Sequence, residues 1–189
     1  GNSDCITIPD YIKTIVNGVF MGCESIVNAT VPNSVMNIGS ETFSHCKNLV
    51  SVVLPDNITS IPARMFDNCK SLVNITIPET VKSIGEEAFN HCESLVEITL
   101  PDGITSINEK NFNNCTSLKK INIPDSVTSI GSRAFDNCDS LTNITLSKNL
   151  KDIGSLSFHD CENLVTITLP DSIKTIGYKA FSYCDNLNT

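Results

Sequence analysis

Ile84-Gly85-Glu86-Glu87-Ala88-Phe89-Asn90-His91-Cys92-Glu93-Ser94-Leu95-Val96-Glu97-Ile98-Thr99-Leu100-Pro101-Asp102-Gly103-Ile104-Thr105-Ser106-Ile107 runs through one period of a repeat, from an isoleucine to its equivalent in the next unit. Cys23, Cys46, Cys69, Cys92, Cys115, Cys138, Cys161 and Cys184 follow one another at intervals of 23 residues without an insertion, and only Cys5 is out of phase. All eight phenylalanines keep the interval, from Phe20 to Phe181, and so do seven of the eight prolines. A unit this short cannot close a core of its own. Its apolar positions must be covered by the same positions in the units before and after it, which predicts a solenoid.

Within the unit, Leu95, Ile98 and Leu100 have the Leu-x-x-Ile-x-Leu spacing of a short strand whose last two apolar residues point inward while Thr99 points out. Pro101 has no N–H to give a ladder and ends the strand. Pro101-Asp102-Gly103 reads as a turn, and Ile104 and Ile107 return to the core with Ser106 on a polar outer run. Ala88-Phe89 with Cys92 three residues on predicts a single helical or 3₁₀ turn on the outer side. Stacking places each Phe on the next at roughly 5 Å, a spine in which each buried ring contributes about 2–3 kcal/mol.

That spine accounts for an unusual composition: 40% hydrophobic residues but only 6% aromatic, with no Trp. Thirteen Lys+Arg against 21 Asp+Glu give a net charge of −8, which opposes nucleic acid and anionic lipid as partners. No apolar run reaches the roughly 18–20 residues that cross a bilayer, and Gly1-Asn2-Ser3-Asp4 has neither the basic nor the apolar region of a signal peptide, so no membrane insertion is expected.

The motif Leu-x-x-Ile-x-Leu-Pro-x-x-Ile-x-x-Ile-Gly-x-x-Ala-Phe-x-x-Cys resembles the BspA-like class of leucine-rich repeats over residues 5 to 189. One domain, 1–189, is expected: a partial unit at 5–22, seven full units over 23–183 and a partial unit at 184–189. The resemblance implies a curved, right-handed leucine-rich-repeat solenoid with short parallel β-strands on the concave side. Turns and short 3₁₀ or helical segments are expected on the convex side. It also implies a surface or secreted, extracellular protein that adheres to host proteins. Departures are local: Pro62 and Asn108 stand for the Gly, Met65 and Asn111 for the Ala, and Ser147-Lys148 for Pro-Asp, and turns of different backbone shape are expected there.

Catalytic and metal chemistry find no constellation. Zinc ligands cluster as Cys-x₂₋₄-Cys, a spacing no pair of cysteines here approaches. Stacked cysteines roughly 5 Å apart with parallel Cβ vectors also miss the 3.5–4.5 Å that a disulfide needs. They read as buried free thiols acting as small hydrophobes, while Cys5, in the exposed column of Asn28, Ser51 and Asn74, is expected to be the reactive one. His45 and His91 lie two rungs apart, roughly 10 Å, and with His159 read as solvated turn residues. Asp10, Asp56, Glu79, Asp102, Asp125 and Asp171 form a column broken by Asn33 and Lys148. Turn chemistry explains it better than calcium, which takes six to eight oxygens where each unit offers one carboxylate. The five Asn-x-Ser/Thr sequons, at Asn28, Asn57, Asn74, Asn114 and Asn143, are close to the roughly four that composition alone produces, so they say little about compartment.

What remains is the outward strand face. Its central column is Thr7, Thr30, Val53, Thr76, Thr99, Asn122, Thr145 and Thr168, a ladder that β-propensity and mutual hydroxyl bonding would explain without a ligand. Charges of both signs break the pattern at Glu97, Lys119 and Lys120, and Glu97 and Lys120 share a column and could pair. The expected ligand-binding residues are Asn74, Thr76, Glu97, Thr99, Lys119, Lys120, Asn122, Asn143 and Thr145. The function predicted is non-enzymatic recognition of a protein, a host extracellular protein by the resemblance, with no cofactor and no metal. The alternative is a spacer segment of a longer solenoid, whose uncapped ends would allow end-to-end self-association.

Overall fold

The computed structural model describes residues 4–188. Short parallel strands, numbered in chain order, form two ribbons. The strand-face ribbon holds β1 (Cys5–Thr7), β3 (Asn28–Thr30), β5 (Ser51–Val53), β8 (Glu97–Thr99), β10 (Lys120–Asn122), β12 (Asn143–Ile144) and β14 (Thr166–Ile167). Beyond the proline turn, the second ribbon holds β2 (Thr14–Ile15), β4 (Asn37–Ile38), β6 (Ser60–Ile61), β7 (Ser83–Ile84), β9 (Ser106–Ile107), β11 (Ser129–Ile130), β13 (Asp152–Ile153) and β15 (Thr175–Ile176). Every strand pair is parallel and in register at an offset of 23 residues, as Lys120↔Glu97 and Ile130↔Ile107 illustrate. Identical positions therefore stack, and the interior is built of columns.

The phenylalanine column is continuous. Ring centroids lie 5.4 Å apart for Phe66–Phe89 and 5.6 Å for Phe89–Phe112, with interplanar angles of 17° and 4°. The six rings from Phe43 to Phe158 are fully buried, whereas Phe20 and Phe181, at the two ends of the stack, are only partly so. Ile98 and Leu100 are buried and Thr99 is exposed, the alternation expected of a strand with one face on the core.

The outer segment differs from expectation: among the described residues there is no helix, either α or 3₁₀, and the Ala-Phe segment is a series of turns. Two residues per unit, four apart, take the left-handed conformation, as in Arg64 (φ 55°) and Asn68 (φ 58°), Glu87 (57°) and His91 (55°), and Lys110 (51°) and Asn114 (57°). Left-handed residues turn alternate N–H groups outward along the solenoid axis. The Arg64, Phe66 and Asn68 N–H groups donate to the Glu86, Ala88 and Asn90 carbonyls of the next rung at 3.0, 2.9 and 2.8 Å. Helical i→i−4 bonding would forfeit this third ladder, and the bonds between rungs win over a conformation that costs non-glycine residues roughly 1–2 kcal/mol each.

The second ribbon breaks at Pro62 and Asn108, two positions where the repeat loses its glycine. Gly85 and Gly131 donate to the Ile61 and Ile107 carbonyls at 2.8 and 2.7 Å, the bonds that stitch this ribbon together. Pro62 has no N–H to offer, and β4 and β6 are not paired. At Asn108 the N–H turns to Asn111 Oδ1 (2.8 Å), while the Asn108 and Asn111 side-chain amides donate to the Ile84 and Gly85 carbonyls, both at 2.6 Å. The paired substitutions Gly→Asn and Ala→Asn in this unit are thus one device, replacing backbone bonds with side-chain bonds.

Candidate protein-recognition face

On the strand face the predicted residues converge in part. A depression of about 570 Å³ is lined by Asn74, Thr76, Glu97, Thr99, Lys120 and Asn122, joined at its edge by Glu79 and floored by Ile75, Ile77 and Ile98. Lys119, Asn143 and Thr145 are exposed on the same ribbon but stand outside it. The strand ladder opens here: residues 74–76 form no assigned strand, and β5 and β8 on either side are not bridged.

Glu97 and Lys120 are register partners, yet no ion pair within 4.0 Å joins them or ties either to another described residue. The pairing that the shared column would allow is not made, so two opposite charges stand adjacent and exposed in the depression. The Thr hydroxyls of the central column do not bond one another either, so mutual hydroxyl bonding is not what keeps them there. Bonding between rungs occurs one column over, where Ser51 Oγ donates to Asn28 Oδ1 at 2.6 Å. Sequence reading also missed an apolar border: Val50, Val73 and Val96, 23 residues apart, are 38%, 38% and 37% exposed, beside the outward Val53 that it did place on this face. Their column lies just before the strand, a position whose exposure the hydrophobic pattern alone does not reveal.

A sequence profile described as the BspA type leucine rich repeat region matches in 6 copies, over residues 2–83 and 59–188. The chain belongs to this family. Among solved structures, a leucine rich cell surface protein from Faecalibacterium prausnitzii A2-165 is 33% identical, with a TM-score of 0.80 over 93% of this chain and 48% of that one. A leucine rich repeat protein of T. pallidum is 29% identical, with a TM-score of 0.69 over 100% of this chain and 79% of that one. One from Bacteroides ovatus ATCC 8483 is 28% identical, with a TM-score of 0.57 over 98% and 60%. Two of these three proteins are thus matched over less than two thirds of their length. No curated protein matches the chain. Leucine-rich repeats are in general protein-interaction or structural modules, typically without catalysis. Among the described residues no helix is long and apolar enough to cross a membrane.

The family's cysteine column is more than apolar filling. From Cys46 to Cys184 each thiol donates to the phenylalanine carbonyl 26 residues earlier, as Cys92 does to Phe66 at 3.3 Å and Cys138 to Phe112 at 3.2 Å, adding a fixed bond between rungs. Burial pushes Cys46 up to about 11 and Cys69, Cys92, Cys115, Cys138 and Cys161 above the ordinary thiol range, with Cys184 raised as well. All nine cysteines are free, and Cys5 alone is exposed. With a maleimide at pH 7.5, Cys5 is expected to react first, half-buried Cys23 and Cys184 next and the other six only on unfolding; mass mapping that finds Cys92 or Cys115 modified before Cys5 contradicts this order.

Two further columns correct the sequence reading. His159 is no solvated turn residue: its side chain is 24% exposed, its Nδ1 lies 2.9 Å from Asp136 Oδ1, and its ring meets Tyr183 edge-on at 5.2 Å. His45 and His91 are half-exposed, each 4.0 Å from an acidic oxygen, of Asp67 and Glu93 respectively. In the acidic turn column the two interruptions are the partners. Asn33 Oδ1 accepts from the Asp56 N–H at 2.9 Å, and Lys148 Nζ lies 2.6 Å from Asp125 Oδ2, holding that carboxyl below its usual range. Charges on the outer turns alternate as well: Arg64 lies 3.7 Å from Glu41 and 2.8 Å from Glu87, and Lys110 lies 3.3 Å from Glu87. Arg64 foremost, helped by Lys110, keeps the Glu87 carboxyl low.

Proposed function

We propose that this chain is a non-enzymatic protein-recognition module of a surface or secreted protein, adhesive in role, which binds a partner protein through the strand face around Asn74, Glu97 and Lys120. One observation carries the reading: two opposite charges without partners share a polar depression bordered by exposed valines. Structural economy alone would pair such charges or replace them with the asparagine or serine that this column carries at Asn28, Ser51, Asn74 and Asn143. Apolar area flanked by directional polar groups is the usual composition of a specific protein interface. The surface setting is supported by the Faecalibacterium relative, described as a cell surface protein.

The test is a charge exchange. Glu97→Lys with Lys120→Glu leaves the net charge unchanged but reverses the local pattern. Against a host extracellular-matrix protein captured by the wild-type chain, the exchange is expected to lower affinity at least tenfold, about 1.4 kcal/mol. Unchanged affinity for the exchange variant, and for a second carrying Val73→Asp, removes this face as the site.

A second reading, a spacer segment of a longer array, is supported by the structural role that leucine-rich repeats also take in general. Under it, the wild-type chain captures nothing above blank beads and associates end to end with rising concentration in sedimentation experiments.

A further inference from the structure

Beneath the outer turns runs a polar column that recognition does not use: Asp67, Asn90, Asn113 and Asp136, one buried residue per rung, between buried Ser44 and the partly exposed His159. Asn90 Nδ2 donates to Asp67 Oδ1 at 2.8 Å, and Asn113 Nδ2 donates to Asn90 Oδ1 at 2.8 Å. His159 Nδ1 meets Asp136 Oδ1 from the far side at 2.9 Å. Between the Asn113 and Asp136 side chains no hydrogen bond is made: Asn113 is 9% exposed, its Oδ1 has no partner among the described residues, and the next residue in the column is a carboxylate that also only accepts.

The deficit follows from counting. A stacked asparagine donates to one neighbour and accepts from the other, so two asparagines between two carboxylates must fill three gaps with two donors. Flipping Asn113 supplies Asp136 but takes the donor from Asn90. Flipping both moves the deficit to the gap beside Asp67. Within the column no choice of amide orientation removes it; the one amide beside it, Asn68, gives its Nδ2 to Asp67 Oδ1 at 3.0 Å, at the opposite end from Asp136. The nearest cation, Arg133, reaches only the outer side of Asp136, its Nε 3.9 Å from Oδ2.

We propose that this column is a binding site for a single hydrogen donor, a water molecule held between Asn113 Oδ1 and the Asp136 carboxylate. Water gives one hydrogen to each acceptor, as buried waters ordinarily do for polar groups the chain leaves unmatched. A carboxylate-to-amide change at either end of the column then supplies the missing donor from the protein itself. Asp136→Asn does so directly. Asp67→Asn does so through a concerted flip of Asn90 and Asn113, although it lies three rungs, roughly 14 Å, away.

The experiment measures thermal stability at pH 8, where imidazole is ordinarily neutral. Each single variant is expected to raise Tm by about 2–4 °C, with the Asp67→Asn/Asp136→Asn double variant no more stable than either single one. Sites so far apart normally add, so a double variant that sums its singles overturns the proposal, as does a fall in Tm for both singles. A crystal structure of the wild-type chain at about 1.5 Å resolution supplies the second readout. A density peak is expected within hydrogen-bonding reach of both acceptors in one of the three gaps. No peak in any gap, or the Asn113 and Asp136 oxygens in direct contact at 2.5–2.7 Å through a shared proton, overturns it.

Discussion

Replacing Phe89 by Ala is expected to lower the free energy of unfolding by about 3–5 kcal/mol, a large share of what holds a domain of this size. The ring is fully buried and stacked on Phe66 at 5.4 Å and Phe112 at 5.6 Å, so its removal opens a gap that neither neighbour can fill without leaving its own rung. The effect spreads because a solenoid is held by interfaces between successive units, and this ring belongs to two of them. Phe181 provides the comparison. It is only partly buried and stacks on Phe158 alone, at 5.4 Å, so Phe181→Ala should cost roughly half as much. Urea titration of both variants separates the cases. A weakened central interface also predicts a smaller m-value for Phe89→Ala, as the two halves begin to unfold separately. Equal losses at the two positions would mean that the column is not the unit of stability.

What the sequence made legible was whatever repeats. The Phe and Cys columns, the inward Ile98 and Leu100 and the outward Thr99 all follow from a single period, because stacking turns equality of position into contact. Lys120 and Glu97 were found for the opposite reason: they break the pattern on a face where the pattern carries no core, and both line the depression. The illegible parts depend on conformation within the period. Ala88-Phe89 has the composition of a helical turn, and only the competition for backbone bonds between rungs, won by left-handed Glu87 and His91, excludes it. His159 and Asp136 sit one position apart from the more conspicuous His45 and His91, and their pairing appears only when the turn places their column inward.

Gly154→Ala carries the second large effect, and its sign is the informative part. The φ of Gly154 lies outside the left-handed region, so chain entropy alone would make alanine stabilising by roughly 0.4–1 kcal/mol. Packing reverses this. A Cβ at this position would lie 2.5 Å from the Gly131 carbonyl carbon and 2.6 Å from the Ser132 nitrogen, both backbone atoms of the preceding rung. Relief requires β13 to move away from β11, which stretches the bond from the Gly154 N–H to the Ile130 carbonyl, now 2.7 Å. A net loss of about 2–3 kcal/mol is expected in thermal or urea unfolding. The chain itself shows how a side chain can be admitted. Asn108 occupies the equivalent position above Gly85 by giving up its backbone bond and replacing it with two amide bonds, one of which needs Asn111. Gly154→Asn combined with Ser157→Asn transplants that pair above Gly131, and the double variant should be more stable than Gly154→Asn alone by about 1 kcal/mol or more. If the two asparagines merely add their separate costs, the exchange of backbone for side-chain bonds is not what lets the ladder skip a rung.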